Sequence, residues 1–309
     1  MKKLLWVVGL VTMILMFSLS SCSNSSGESK SSSSGTSGKS GASETPENPI
    51  QPPSTRTEIS GKIGKYGKPY KVGDIIFKDG SAEEYSSELS LSDAQKSTAI
   101  ALIFYTGKTL NSGNDVNTTR TLGVGLIHSG KDDDGLEWCT KFTNKADASE
   151  LEIETIVCEA QKGVFGFTYN GDKNGSDNLE QIEEFEGVSD TSDSSKYPAF
   201  YFAKNYKDKK IAGETESRLT GTEFENGWYL PSLAELCEIC WCMDKKIFDI
   251  DAASTLCGGD KFKPDSYWSS SQRKGKSEVA CGINFETMYV IGVSKENDGK
   301  LACAIREFN

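Results

Sequence analysis

The chain of 309 residues holds a single histidine, His128. Any serine or cysteine nucleophile activated by imidazole therefore depends on that one residue. It closes an apolar run before Ser129-Gly130 with no nucleophile elbow beside it, and so reads as a surface or hydrogen-bonded core histidine. Positive charge is also short: 34 Lys and Arg stand against 45 Asp and Glu, for a net of −11. Such a surface repels phosphate backbones and anionic lipid, which argues against a nucleic-acid partner. No repeat at solenoid or propeller spacing occurs. Cys237-x2-Cys240 has no second CxxC with which to complete a zinc site.

What is present begins with an address. Lys2 and Lys3 precede an apolar stretch from Leu4 to Leu19, too short to be a secure membrane span, and Leu19-Ser20-Ser21-Cys22 reads as a lipobox. Residues 1–21 are thus expected to be a lipoprotein signal, with Cys22 the lipidated residue that ties the protein to a membrane. Losing Lys2 and Lys3 with the leader takes the charge to −13. Residues 22–57 are Ser, Gly, Lys, Glu and Pro with almost nothing apolar, a composition that cannot offset the entropy of ordering. As a flexible tether of this length they reach roughly 30 Å. Residues 58–309 are long enough for one large domain.

Within that domain, Val72 to Lys78 followed by Asp79-Gly80 predicts a strand and tight turn. Ser92-Asp93-Ala94-Gln95 has capping-box spacing, predicting a short helix from Asp93. Ala99 to Tyr105 suits a fully buried strand, and Leu122 to His128 another, with Gly123 and Gly125 marking close packing rather than a phosphate loop. A helix is predicted over Tyr197 to Tyr206 and a second over Ser232 to Asp244. On the second, Leu233, Leu236, Cys237 and Cys240 form one stripe while Cys242 points off it. Those cysteines read as core. Strands are predicted over Val279 to Phe285, Tyr289 to Ser294 and Lys300 to Phe308, with Asn297-Asp298-Gly299 turning between the last two. Cys281 and Cys303 alternate with apolar neighbours and point inward.

Asn170 to Gln181 places oxygen side chains at alternate positions around Gly175, as a calcium loop does. Asn170 and Gln181 fill the first and twelfth positions with amides, however, and the segment reads as a polar surface turn. Asp132-Asp133-Asp134 reads as a solvated acidic turn. No metal or cofactor is expected.

Gly227-Trp228-Tyr229-Leu230-Pro231-Ser232, then Tyr267-Trp268-Ser269-Ser270-Ser271, then Cys303-Ala304-Ile305-Arg306-Glu307-Phe308 resemble a C-type-lectin-like domain. The similar branch includes formylglycine-generating enzymes and the C-terminal domain of the Legionella collagen-like adhesin. The resemblance implies an α+β, C-type-lectin-like fold with an antiparallel sheet, two core helices and inserted loops. The Glu-Pro-Asn, Gln-Pro-Asp and Trp-Asn-Asp triplets of calcium-dependent sugar binding are absent from the domain. In this family the tryptophan and tyrosine motifs are chiefly framework, so Trp228, Tyr229, Tyr267 and Trp268 are expected in the core, with Tyr267 alone reaching toward the surface.

The segment Phe165 to Asp177 and the run Tyr197 to Tyr206 further resemble treponemal lipoproteins of the variable-protein type, whose ligand surface is diversified by retroelements. Carried onto this chain, that surface is 272–277 and 284–294, with Arg273, Lys274, Asn284, Glu286, Met288, Tyr289 and Ser294 as the contact residues. Diversified Asn codons ending in a pyrimidine cannot yield Met or Glu. Met288 and Glu286 are therefore constant positions, or belong to a copy that is not diversified. The resemblance implies a non-catalytic, lipid-anchored protein of the outer membrane surface that binds a protein or peptide ligand. The alternatives are an exported enzyme of the formylglycine-generating type using a cysteine pair and, third, a calcium-stabilised adhesin.

Overall fold

Three of the helix starts are set by side chains that satisfy the free amides of a first turn. Ser92 and Gln95 form a reciprocal capping box, as do Ser232 and Glu235, while Asp249 caps with its carboxylate. The computed structural model of the protein describes residues 56–111, 117–130, 135–140, 151–163, 166–186 and 196–309, with backbone alone at 160–163, 166–169 and 186. The leader, Cys22, all but two residues of the tether, Asp132-Asp133-Asp134 and Phe165 lie outside the described residues.

In chain order the elements are β1 (Asp74–Phe77), β2 (Ala82–Glu84), α1 (Asp93–Lys96), β3 (Ala99–Gly107), β4 (Arg120–His128), β5 (Val157–Gly163) and β6 (Gly166–Gly171). They continue with α2 (Asn178–Glu186), α3 (Pro198–Lys204), β7 (Trp228–Tyr229), α4 (Leu233–Asp244), α5 (Ile250–Leu256), β8 (Ser266–Arg273), β9 (Val279–Asn284), β10 (Tyr289–Ser294) and β11 (Cys303–Glu307). The protein is α+β, with short helices on mostly antiparallel sheets. One sheet has the order β2-β1-β3-β4-β11-β7 and the other β10-β9-β8-β5-β6. Every pairing is antiparallel except β5 with β8. No helix among the described residues is long and apolar enough to cross a membrane.

Helix α4 lies between the two sheets, packing on β3 from one side and on β9, β8 and β5 from the other. This corrects the single-stripe reading: Leu233 to Cys240 are all buried, and so is Cys242, whose thiol donates to the Phe104 carbonyl at 3.1 Å. Where a helix is covered by two sheets its off-stripe residues are core as well, and α4 opens to solvent only from Trp241 on.

The far face of the six-stranded sheet carries a second core, rich in aromatics. Trp138, Tyr197 and Phe200 meet edge to face, and Tyr206, Trp228, Phe224 and Phe308 continue the stack. Gly123 and Gly125 make room for it: a Cβ would come within 2.7 Å of the Phe308 ring and 2.3 Å of the Tyr206 ring respectively. The close-packed strand expected there is observed. Arg56, just ahead of the expected domain start, forms a two-pronged pair with buried Asp74 at 2.7 and 2.8 Å and stacks on Tyr66.

Candidate ligand-binding surface

Strands β8, β9 and β10 form a meander whose inward residues are locked into the domain. Cys281, Ile283 and Phe285 are buried in the core under α4. On β8, Ser269, Ser270, Ser271 and Gln272 are fully buried, each with a hydrogen-bonding task. Ser269 donates to the Cys281 carbonyl at 2.9 Å, and Gln272 accepts from Ile153 N at 2.7 Å and donates to Leu151 O at 3.1 Å. Gln272 therefore leaves the expected contact surface, because it staples the 151–153 segment to the sheet. Tyr267 is also wholly buried, edge on to His128 and Phe285, and the partly exposed aromatic of the set is Tyr229.

Of the seven predicted contact residues, Arg273, Lys274, Glu286, Tyr289 and Ser294 are exposed, with Tyr289 at 58% the most open large hydrophobic side chain among the described residues. The other two are placed differently. Asn284 is half-buried: its amide donates to Ser266 Oγ at 3.2 Å and its carbonyl accepts from Thr287 N at 2.8 Å. Met288, at φ +56°, turns its sulfur onto Cys240 at 3.2 Å and packs on the core. These two shape the β9–β10 turn, and the open positions flank them. Within the described residues β10 pairs only with β9, so it is a sheet edge.

At the other end of the meander, a cavity of about 240 Å³ opens between β5, the 274–276 turn and β10. Cys158 and Cys281 lie along it, the Cys281 thiol 3.6 Å from the Cys158 carbonyl. Burial pushes the Cys281 and Cys303 thiols up to about 12, so both stay protonated at neutral pH. All eight cysteines among the described residues are buried.

The 170–181 segment is not a solvated turn. Asp172 and Asn178 are buried, with Asn178 Nδ2 donating to Asp172 Oδ2 at 2.8 Å and to Ser270 Oγ at 2.8 Å. Burial pushes the Asp172 carboxyl up to about 7, only partly countered by its bonds to Asn178 and Asn174. Gly175 N donates to Glu235 Oε2 at 3.0 Å, tying the loop to the start of α4. Nothing in the 170–181 composition signals the burial, because the partners lie on β8 and α4. No cluster of three or more His, Cys, Asp or Glu suited to a metal ion occurs among the described residues.

His128 is enclosed beside Phe262 and Tyr267, its Nδ1 3.2 Å from the Tyr267 hydroxyl, and burial pushes it down to about 4. It is a hydrogen-bonded core histidine.

No family model matches the chain, and no curated protein matches it. Among solved structures it is similar to a fimbrial protein from Bacteroides ovatus ATCC 8483, at 14% identity and a TM-score of 0.45. The match covers 76% of this chain and 48% of that one, so the chain spans about half the length of the structure it matches. A likeness at this level does not establish a shared fold.

Proposed function

We propose that this protein is a lipid-anchored binding protein of the bacterial outer surface, held by Cys22 and a flexible tether, that recognises a protein or peptide through the β8–β10 meander. On this reading the α+β domain is a C-type-lectin-like scaffold related to the variable-protein lipoproteins. The carrying observation is the division of labour within three strands and their turns: Cys281, Ile283 and Gln272 are buried while Arg273, Lys274, Glu286, Tyr289 and Ser294 stand in solvent. Such an arrangement frees contact side chains to vary without cost to the core. The pair that a formylglycine-generating enzyme would need, Cys281 and Cys303, is buried and protonated, which favours recognition over thiol chemistry.

Surface shaving of intact cells by protease, with the domain recovered in the supernatant, tests the address. Capture by the wild-type protein, compared with Tyr289→Ala and with Ile247→Ala on a different exposed segment, tests the surface. A partner retained by Ile247→Ala and lost by Tyr289→Ala supports the reading, and equal retention by both sinks it.

A further inference from the structure

The cleft beside Arg273 refines the recognition surface proposed above and rests on that reading. Strand β5 pairs with β8 only at Val157 and Cys158, and β8 ends at Arg273, so the rest of β5 runs past it and leaves the cavity of about 240 Å³ open. Arg273, Lys274 and Lys276 line it against one carboxylate, Glu159. In a chain with 45 acidic and 34 basic residues this local excess runs against the average of the surface. None of the three cations forms an ion pair among the described residues.

Two further observations give the cleft a shape. Gly292 lies opposite Cys281 in the β9–β10 register, and the Arg273 side chain crosses it. A Cβ at 292 would stand 2.5 Å from Arg273 Nη1 and 2.9 Å from its Cδ, so the missing side chain is what lets the guanidinium lie there. The strand carrying that notch pairs with β9 alone among the described strands, which makes it a sheet edge.

We infer that the cleft is a subsite for the carboxylate side chain of an extended acidic peptide whose backbone pairs with β10. An added strand draws its affinity from main-chain hydrogen bonds and its specificity from the pocket that takes a side chain. Arginine grips a carboxylate with two parallel donors, and the lysines add charge around it. The volume holds one such side chain with a few waters, at about 30 Å³ per water. Nearby carboxylates favour a single negative charge over a phosphate dianion. Glu159 faces the cleft, Glu152 accepts from Gly275 N, and Glu278 sits beside Lys276 and Lys295.

The test is fluorescence anisotropy with labelled acetyl-Thr-Val-Glu-Val-Thr-amide, its Gln counterpart and unlabelled inorganic phosphate as competitor. The expected results are at least tenfold weaker binding of the Gln peptide, and at least tenfold loss with Arg273→Glu. Gly292→Ala keeps the charge but displaces the guanidinium, and should cost three- to tenfold. Amide signals of 290–293 should gain exchange protection in the complex. Equal affinity for both peptides, no binding of the Glu peptide at millimolar protein, an unaffected Arg273→Glu, or phosphate competing as strongly as the Glu peptide each overturn the inference. Arg273 is exposed, so its variant should fold, and an unchanged thermal melt verifies it. If Tyr289→Ala abolishes partner capture while Arg273→Glu does not, the subsite falls and the wider surface stands.

Discussion

Replacing Glu235 by alanine should destabilise the domain more than any surface change, because one buried carboxylate joins four elements. Its oxygens accept from Ser232 N at 2.8 Å, Gly175 N at 3.0 Å and the Tyr229 hydroxyl at 2.9 Å, and lie 3.0 Å from Arg120 Nη2. Arg120 is itself 4% exposed, and its other carboxylate partner, Glu307, is 3.4 Å away. The carboxylates around Arg120 outweigh its burial and hold the guanidinium charged. Breaking a buried pair from one side costs about 3–5 kcal/mol, and losing the carboxylate's bond to Ser232 N costs about 1 more. For a domain of this size that is a fall in Tm on the order of 10–20 °C. Glu235→Gln keeps the cap and should fall roughly midway. Adding Arg120→Met to Glu235→Ala should recover part of the loss, since the buried guanidinium is then gone and only the partly exposed Glu307 loses a partner. Calorimetry and guanidinium melts read both effects. A Glu235→Ala cost below about 1 kcal/mol, or no recovery in the double variant, would refute the network as described.

Four further outcomes follow from the geometry. His128 should remain neutral at pH 5.5 by NMR. Its folded value of about 4 lies below the ordinary 6.5, so stability from this group is full above pH 6.5 and is lost as pH falls toward 4, by up to about 3 kcal/mol. Asp172 has the opposite sign: raised to about 7 from 3.8, it favours folding below pH 4 and that advantage is lost as pH rises through 7. Relative to wild type, Asp172→Asn should therefore be more stable at pH 8 than at pH 5, as denaturant melts at both values would read. Gly125→Ala should cost about 2 kcal/mol or more through overlap with Tyr206, in the same melts. The buried thiols should resist Ellman's reagent until the protein unfolds, and rapid reaction of the native protein would contradict their burial.

Local signals carried much of the framework. The Ser92 capping box falls where its spacing puts it, the second predicted helix starts behind Ser232 and ends at Asp244, and β10 spans the predicted Tyr289–Ser294. Strand β3 is buried through Tyr105, as its unbroken apolar run implies. What escaped depended on partners distant in sequence. Strand β5, Val-Cys-Glu-Ala-Gln-Lys-Gly, has no clean alternation and is fixed by pairing with β6 and, at its start, with β8. Cys242 is core as read, but the single stripe did not account for it, because a stripe argument assumes one covered face whereas α4 has a sheet on each side. Gln272 and Asp172 are polar and were read as solvent-facing, yet both are buried by bonds to residues roughly a hundred positions away. At the candidate surface the strand positions were legible, but the Met288 turn and the Arg273–Gly292 crossing arise only once β8, β9 and β10 are assembled.

The most direct test of the recognition surface is site-specific photocrosslinking on intact cells in contact with their ligand source. Benzoylphenylalanine at Tyr289, 58% exposed, is compared with the same group at Ile247, 42% exposed on a different segment. A discrete adduct from position 289 and none from 247 is the predicted result. An adduct from 247 with none from 289 would contradict it.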